Sequence, residues 1–164
     1  GTLRLEQAAR LRLRLDALGV EAVLDPLAHT GLHSAILRDQ GLRVEAADAS
    51  PPRGGVCWGD VALRPVQATR WEQYGRGWAL FLSWLPHWSE IGVEALRGFR
   101  GDVVVVLGDE RDWTGTDGFR AELRQSWELV ESWPTDSPWP RVDERLSMYI
   151  RRGTHAETAA RKVP

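Results

Sequence analysis

Two short apolar segments, each ending at an aspartate, constrain the fold of this chain more than any other feature. Residues 20–24 end at Asp25, which Pro26 follows, and residues 42–47 end at Asp48. Between them, residues 31–40 have the pattern of a short helix that Gly41 ends. A strand, a turn, a helix and a second strand in this order form the opening half of a doubly wound sheet. The chain is therefore predicted to be an α/β protein.

The remaining segments complete this pattern. An amphipathic helix is predicted at the N-terminus, and helices are predicted after each of two further buried strands. Two alternating segments follow as closing strands, and a short strand is predicted in the less regular middle of the chain. The helix is at 3–18, the buried strands at 79–83 and 103–107, the closing strands at 127–133 and 145–151, and the short strand within 56–61.

Length and composition limit the class of protein. A chain of 164 residues with 43% apolar and 27% charged residues suits one ordinary globular domain. This domain is expected over residues 1–152, with 1–19 as its N-terminal helix and 153–164 as a polar tail. A net charge of −2 gives no global attraction to nucleic acid, and no apolar run is long enough to span a bilayer.

The cysteine and histidine residues limit the kinds of metal or disulfide site in this chain, and the first residue relates to its cellular compartment. Cys57 is the only cysteine, which excludes an internal disulfide and a cysteine-based zinc site. His29, His33 and His87 lack a convincing arrangement of metal ligands, so no metal is predicted. The chain starts at Gly1, which fits either a trimmed chain or an organellar protein that has lost a targeting peptide. No cellular compartment is predicted.

The loop after the first strand carries a family resemblance. Residues 25–31 have the sequence Asp-Pro-Leu-Ala-His-Thr-Gly. They resemble the Asp-Pro-x-x-Gly-x-Gly loop of class I methyltransferases that depend on S-adenosylmethionine (SAM), especially the amino-methyltransferases. This resemblance implies a SAM site that contains Asp25, His29 and Gly31. His29 replaces a glycine that lets the backbone approach the cofactor, and its side chain is expected to crowd the methionine part of SAM. A plain turn that binds nothing is the alternative.

Two further acidic residues fit the same resemblance. Asp48 lies at the end of the second strand, about 20 residues beyond the loop, at the spacing of a carboxylate that binds ribose hydroxyls. Asp followed by Ser-Pro-Pro is also ordinary turn chemistry. Gly59-Asp60 resembles the Gly-Asp pair that contacts the adenine amino group in the family, which makes Asp60 a candidate cofactor residue.

The loop after the strand at 79–83 corresponds to the catalytic loop of the family. Amino-methyltransferases carry Asn/Asp-Pro-Pro-aromatic here, where the polar side chain holds the target amine and the aromatic ring stacks on the substrate. This chain has Ser83-Trp84-Leu85-Pro86-His87-Trp88. Ser83 replaces the amide or carboxylate, Pro86 is retained, and Trp88 is the candidate stacking ring. The departure weakens the case for methyl transfer to nitrogen.

The chain has an unusual number of tryptophans, nine against two Tyr and three Phe. So many indoles exceed the needs of one small core, which indicates a partner surface, with biased composition as the alternative.

Three hypotheses follow. A degenerate, non-catalytic methyltransferase-like protein that binds a protein partner in a larger assembly fits both altered motifs, and it needs no cofactor. An active SAM-dependent methyltransferase is the first alternative, since methyl transfer needs little acid–base machinery. A Rossmann-like module for another nucleotide is the second. All three share a Rossmann-like, mostly parallel sheet with an antiparallel last strand and helices on both faces.

Overall fold

The computed structural model describes residues 2–52, 55–109, 111, 113–135, 137, 139–154 and 156. Most of the predicted polar tail, residues 155 and 157–164, lies outside this set. The helices are α1 (Leu5–Ala17), α2 (Leu32–Asp39), α3 (Ile91–Gly98) and α4 (Asp117–Ser126). The strands are β1 (Ala22–Asp25), β2 (Arg43–Asp48), β3 (Ala62–Leu63), β4 (Trp78–Ser83), β5 (Val103–Asp109), β6 (Trp127–Pro134) and β7 (Glu144–Arg151).

The strands form a seven-stranded sheet in the order β3-β2-β1-β4-β5-β7-β6. The first five strands of this order are parallel, and β7 runs antiparallel to both β5 and β6. The predicted α/β fold, mostly parallel with an antiparallel last strand, is confirmed. Because β1 lies between β2 and β4, the strand order reverses there, and this switch point is where doubly wound sheets bind ligands.

Helices cover both faces of the sheet, as predicted. On one face, Leu15 of α1 and Leu37 of α2 pack with Phe81 of β4. On the other face, Leu96 of α3 and Phe119 of α4 are buried together with strand residues of the opposite orientation. All seven residues of β5 are buried, because both of its faces are covered. This explains why the strand is a continuous apolar run in the sequence.

The strand predicted within residues 56–61 is wrong. That segment is an exposed loop, and the strand is the two-residue β3, which pairs with Ala47 and Asp48 of β2. The loop crosses the turn after β1 instead of extending the sheet, since the Trp58 amide donates a 2.9 Å hydrogen bond to the Thr30 carbonyl. After β3 the chain forms two short 3-10 turns, Val66–Ala68 and Trp71–Gln73.

No helix in the described part of the chain is both long and apolar enough to cross a membrane.

Candidate functional site

The carboxyl ends of β1, β2 and β4 surround a cavity of about 410 Å³ at the switch point of the sheet. The loop after β1, Asp48 at the end of β2, and residues 83–86 after β4 form its walls. Five residues predicted from the sequence lie together here: Asp25, His29, Asp48, Ser83 and Pro86. The parallel order of the strands brings these distant segments to one edge.

Asp25 is a fully buried carboxyl in this cavity. The Ser34 hydroxyl donates a 2.7 Å hydrogen bond to its Oδ2. Its Oδ1 is buried and accepts no hydrogen bond of normal geometry from the described residues. Burial raises the pKa of Asp25 to about 7; the hydrogen bond from Ser34 and the nearby Leu27 amide lower it only in part. The cavity therefore contains a carboxyl group whose Oδ1 can accept a hydrogen bond from a ligand.

The loop after β1 turns through two residues with positive φ. His29 has a φ of 49° and Gly31 has a φ of 76°. The left-handed region suits glycine and strains a histidine, which agrees with the glycine that the resemblance places at position 29. The His29 side chain is exposed at the rim of the cavity. Gly31 precedes α2, and a Cβ at this position would lie 2.7 Å from Val61 Cγ2, so the loop at 55–61 packs tightly against it.

Asp48 joins the first loop to the segment after β2. Its Oδ2 accepts a 2.9 Å hydrogen bond from the His29 amide, and its Oδ1 accepts one of 2.8 Å from the Ser50 amide. Each carboxylate oxygen has a second lone pair, so the side chain can still accept bonds from a ligand. Asp60 differs from Asp48. It is exposed, it does not line the cavity, and its backbone carbonyl accepts a hydrogen bond from Arg38.

Ser83 is hydrogen-bonded to His33, a residue that was grouped from the sequence with His29 and His87 as a candidate metal or acid–base cluster. Ser83 Oγ and His33 Nδ1 are 3.0 Å apart, and both residues line the cavity. His33 lies on α2, 50 residues away in the chain. No local sequence pattern indicates this pair, because it depends on β4 lying beside β1. Within the described ranges, no three His, Cys, Asp or Glu side chains are grouped so that they could hold a metal ion.

Trp84 turns the chain out of β4. It has a φ of 47°, and its amide donates a 2.8 Å hydrogen bond to the Leu107 carbonyl of β5. Its indole Nε1 is buried with no hydrogen-bond partner among the described residues. Strained residues of this kind persist only where the surrounding structure holds them, and they cluster at functional sites. Trp84 lines the cavity and also a second depression beside it.

This second depression, here called the Trp groove, has a volume of about 650 Å³. It is lined by residues 84–88, by Trp113, and by Trp139, Pro140 and Val142. Trp84, Leu85 and Pro86 line both the groove and the cavity, so the two are adjacent. The predicted stacking residue, Trp88, is in the groove and not in the cavity, with 78% of its surface exposed.

Three solved structures illustrate what the chain is similar to. The 1,6-didemethyltoxoflavin-N1-methyltransferase of Burkholderia thailandensis, solved with S-adenosylhomocysteine (SAH), has a TM-score of 0.60 and 19% identity, covering 90% of this chain and 77% of that one. The SAM-bound magnesium protoporphyrin IX methyltransferase of Synechocystis PCC 6803 has a TM-score of 0.61 and 13% identity, covering 90% and 79%. The N-methyltransferase NodS of Bradyrhizobium japonicum WM9 has a TM-score of 0.62 and 13% identity, covering 89% and 94%.

These similarities show the fold of class I SAM-dependent methyltransferases, since identities this low carry the fold alone. No protein-family model matches the chain, and no curated protein matches it.

Proposed function

We propose that this chain is a SAM-dependent methyltransferase, with SAM in the cavity and the methyl acceptor in the Trp groove. One observation carries the proposal: the cavity at the switch point and the groove are adjacent and share Trp84, Leu85 and Pro86. Two binding spaces with a common wall are what a transfer between two bound molecules requires. Similar folds with SAM or SAH bound support the choice of cofactor.

The residues of the cavity fit SAM in two respects. Asp25 Oδ1 is a buried acceptor that has the Leu27 amide nearby but no hydrogen bond of normal geometry from the described residues, and an ammonium group such as that of the methionine part of SAM would satisfy it. Asp48 retains free lone pairs at the end of β2, where the resemblance assigns the ribose hydroxyls. Asp60 would reach an adenine only if the loop at 55–61 moved, because this residue is outside the cavity.

Methyl transfer requires the protein mainly to position the cofactor and the methyl acceptor. When bound, SAM would supply an electrophilic methyl group, with S-adenosylhomocysteine as the product that remains. The chain's own contribution is to hold the two molecules in line and to exclude water. Ser83 and His33 contribute polar side chains to the cavity, and Ser83 is next in sequence to Trp84, which lines both the cavity and the groove.

Calorimetric titration of the full chain with SAM and with SAH tests this proposal. We expect one site with micromolar affinity, because Asp25 and Asp48 both line the cavity and would accept hydrogen bonds from SAM. Asp48→Ala should weaken binding by about tenfold or more, since a carboxylate that accepts ligand hydrogen bonds is lost. Asp39→Ala, at an exposed position at the end of α2, is the matched control and should bind as the wild type does. Absence of heat at millimolar ligand in a folded sample would contradict the proposal.

A non-catalytic subunit of a larger assembly is the second candidate. It is favoured by the replacement of the family's catalytic amide or carboxylate by Ser83 and by the exposure of Trp88, Trp113 and Trp139. Such a protein would not bind SAM, and its tryptophan surface would drive association of the purified chain. A chain that stays monomeric at high concentration and binds SAM would exclude this candidate.

A further inference from the structure

The Trp groove concentrates large apolar rings at one exposed place. Trp88, Trp113 and Trp139 are 78%, 58% and 64% exposed, whereas Trp127 and Trp133 are buried in the core. The three exposed rings come from three separate loops. Exposed apolar surface that gathers in this way is typical of a binding site, since scattered single residues need no explanation but clusters do.

Two of the indole rings that line the groove lie edge to face with His87. The His87 and Trp88 ring centroids are 4.7 Å apart at 85°, and those of His87 and Trp113 are 6.1 Å apart at 86°. Indole rings are rigid and lose little entropy on binding, and their faces favour stacking against other π-systems. This geometry suits a flat aromatic ligand better than a branched aliphatic one.

The groove also has the size of a small-molecule site. Its volume of about 650 Å³ is within the range of such sites, and most of the described residues that line it are apolar.

We propose that the Trp groove binds a small planar aromatic molecule, and that this class contains the methyl acceptor. The groove residues Trp84, Leu85 and Pro86, which also line the cavity, hold such a ring beside the cofactor position. The statement about the acceptor rests on the proposed function, whereas binding of the ring to the groove stands without it.

Fluorescence titration with prodan, an uncharged naphthalene derivative, tests the inference on the full chain. We expect saturable binding, with the blue-shifted emission of an apolar site. Trp113→Ala and Trp88→Ala should each weaken it by about tenfold, because each removes one of the aromatic rings that line the groove. Trp58→Ala is the matched control, since Trp58 is 57% exposed but lies outside the groove, and it should leave the affinity unchanged. All three positions are exposed, and circular dichroism checks that the variants fold.

The inference would be overturned by an equal loss of prodan affinity in the Trp58→Ala and Trp113→Ala variants, or by a loss in neither. SAH titration of the same samples separates the two proposals: prodan binding with no SAH binding retains the groove site and rejects the cofactor site.

Discussion

The Ser34 hydroxyl on α2 donates a 2.7 Å hydrogen bond to Asp25 Oδ2 at the buried end of β1. This bond joins the strand to the helix that follows it, across the loop that resembles a SAM-binding loop. It satisfies one carboxyl oxygen and leaves Oδ1 buried, with the Leu27 amide nearby but no hydrogen bond of normal geometry from the described residues. The chain thus holds a partly satisfied acid in its interior, which is costly for folding and useful for binding a cation.

Asp25 should make stability depend on pH. Its pKa is about 7 in the folded chain and near 3.8 when the chain is unfolded. Between these values the folded state keeps a proton that the unfolded state has lost, so the free energy of unfolding falls as pH rises from about 4 to 7 and is level above that. The loss is of the order of 4 kcal/mol. Asp25→Asn should remove this slope and be the more stable protein at pH 8.

Urea unfolding of wild type and Asp25→Asn between pH 5 and pH 8 measures this difference. Asp39→Asn, on the exposed end of α2, is the control and should follow the wild-type profile. Parallel profiles for wild type and Asp25→Asn would show that the carboxyl is not held protonated in the folded chain.

Two substitutions of His29 distinguish the effect of backbone strain on stability from the effect of the imidazole ring on ligand binding. His29→Gly removes both the ring and the Cβ at a φ of 49°, whereas His29→Ala removes only the ring. We expect tighter SAH binding for both variants if the imidazole crowds the cofactor. Greater thermal stability is expected only for glycine, by about 1 kcal/mol, because it relieves the left-handed strain. Calorimetry and thermal melts give the two quantities, and unchanged SAH affinity in both variants would reject the crowding.

Gly31 tests how tightly the loop at 55–61 packs on the cofactor loop. Gly31→Ala places a Cβ at 2.7 Å from Val61 Cγ2 at a φ of +76°. Gly19→Ala has a similar φ of +72° with no atom within 4 Å, so it measures the backbone strain alone. We expect chemical denaturation to show a loss of about 1 kcal/mol for Gly19→Ala and about 2–3 kcal/mol for Gly31→Ala. Equal losses would mean that the contact is loose.

The pairing of Ser83 with His33 should appear in a double-mutant cycle. Ser83→Ala and His33→Ala each remove one side of a half-buried hydrogen bond of 3.0 Å. The free energies of unfolding of the two single variants and the double variant should give a coupling of about 1 kcal/mol. Additive effects would show that the two side chains are neighbours without a bond.

The fold was predictable where burial of a segment produces a recognisable apolar pattern in the sequence. β4 and β5 were placed to within one or two residues at their ends, because a strand covered on both faces must be a continuous apolar run. The two-residue β3 has no such pattern. Its pairing depends on Asp48 and on the course of the exposed loop before it. The strand was therefore predicted too early in the chain, within residues 56–61.

The candidate site was predictable only loop by loop. Asp25, Asp48 and Ser83 each end a strand, and parallel pairing alone brings them together. His33 was missed as a partner of Ser83, because a contact across 50 residues leaves no local pattern. The surplus of tryptophan indicated an interaction surface, but not that Trp88, Trp113 and Trp139 would face one groove beside the cavity.

Hydrogen–deuterium exchange of the full chain with and without SAH tests the central claim most directly, because it locates the ligand as well as detecting it. The account predicts slower exchange of the amides at 25–31, 48–50 and 83–86, the segments that surround the cavity, and no change in α4 and β6. Exchange that is unaltered by saturating SAH, or protection confined to other segments, would contradict a cofactor site at the ends of β1, β2 and β4.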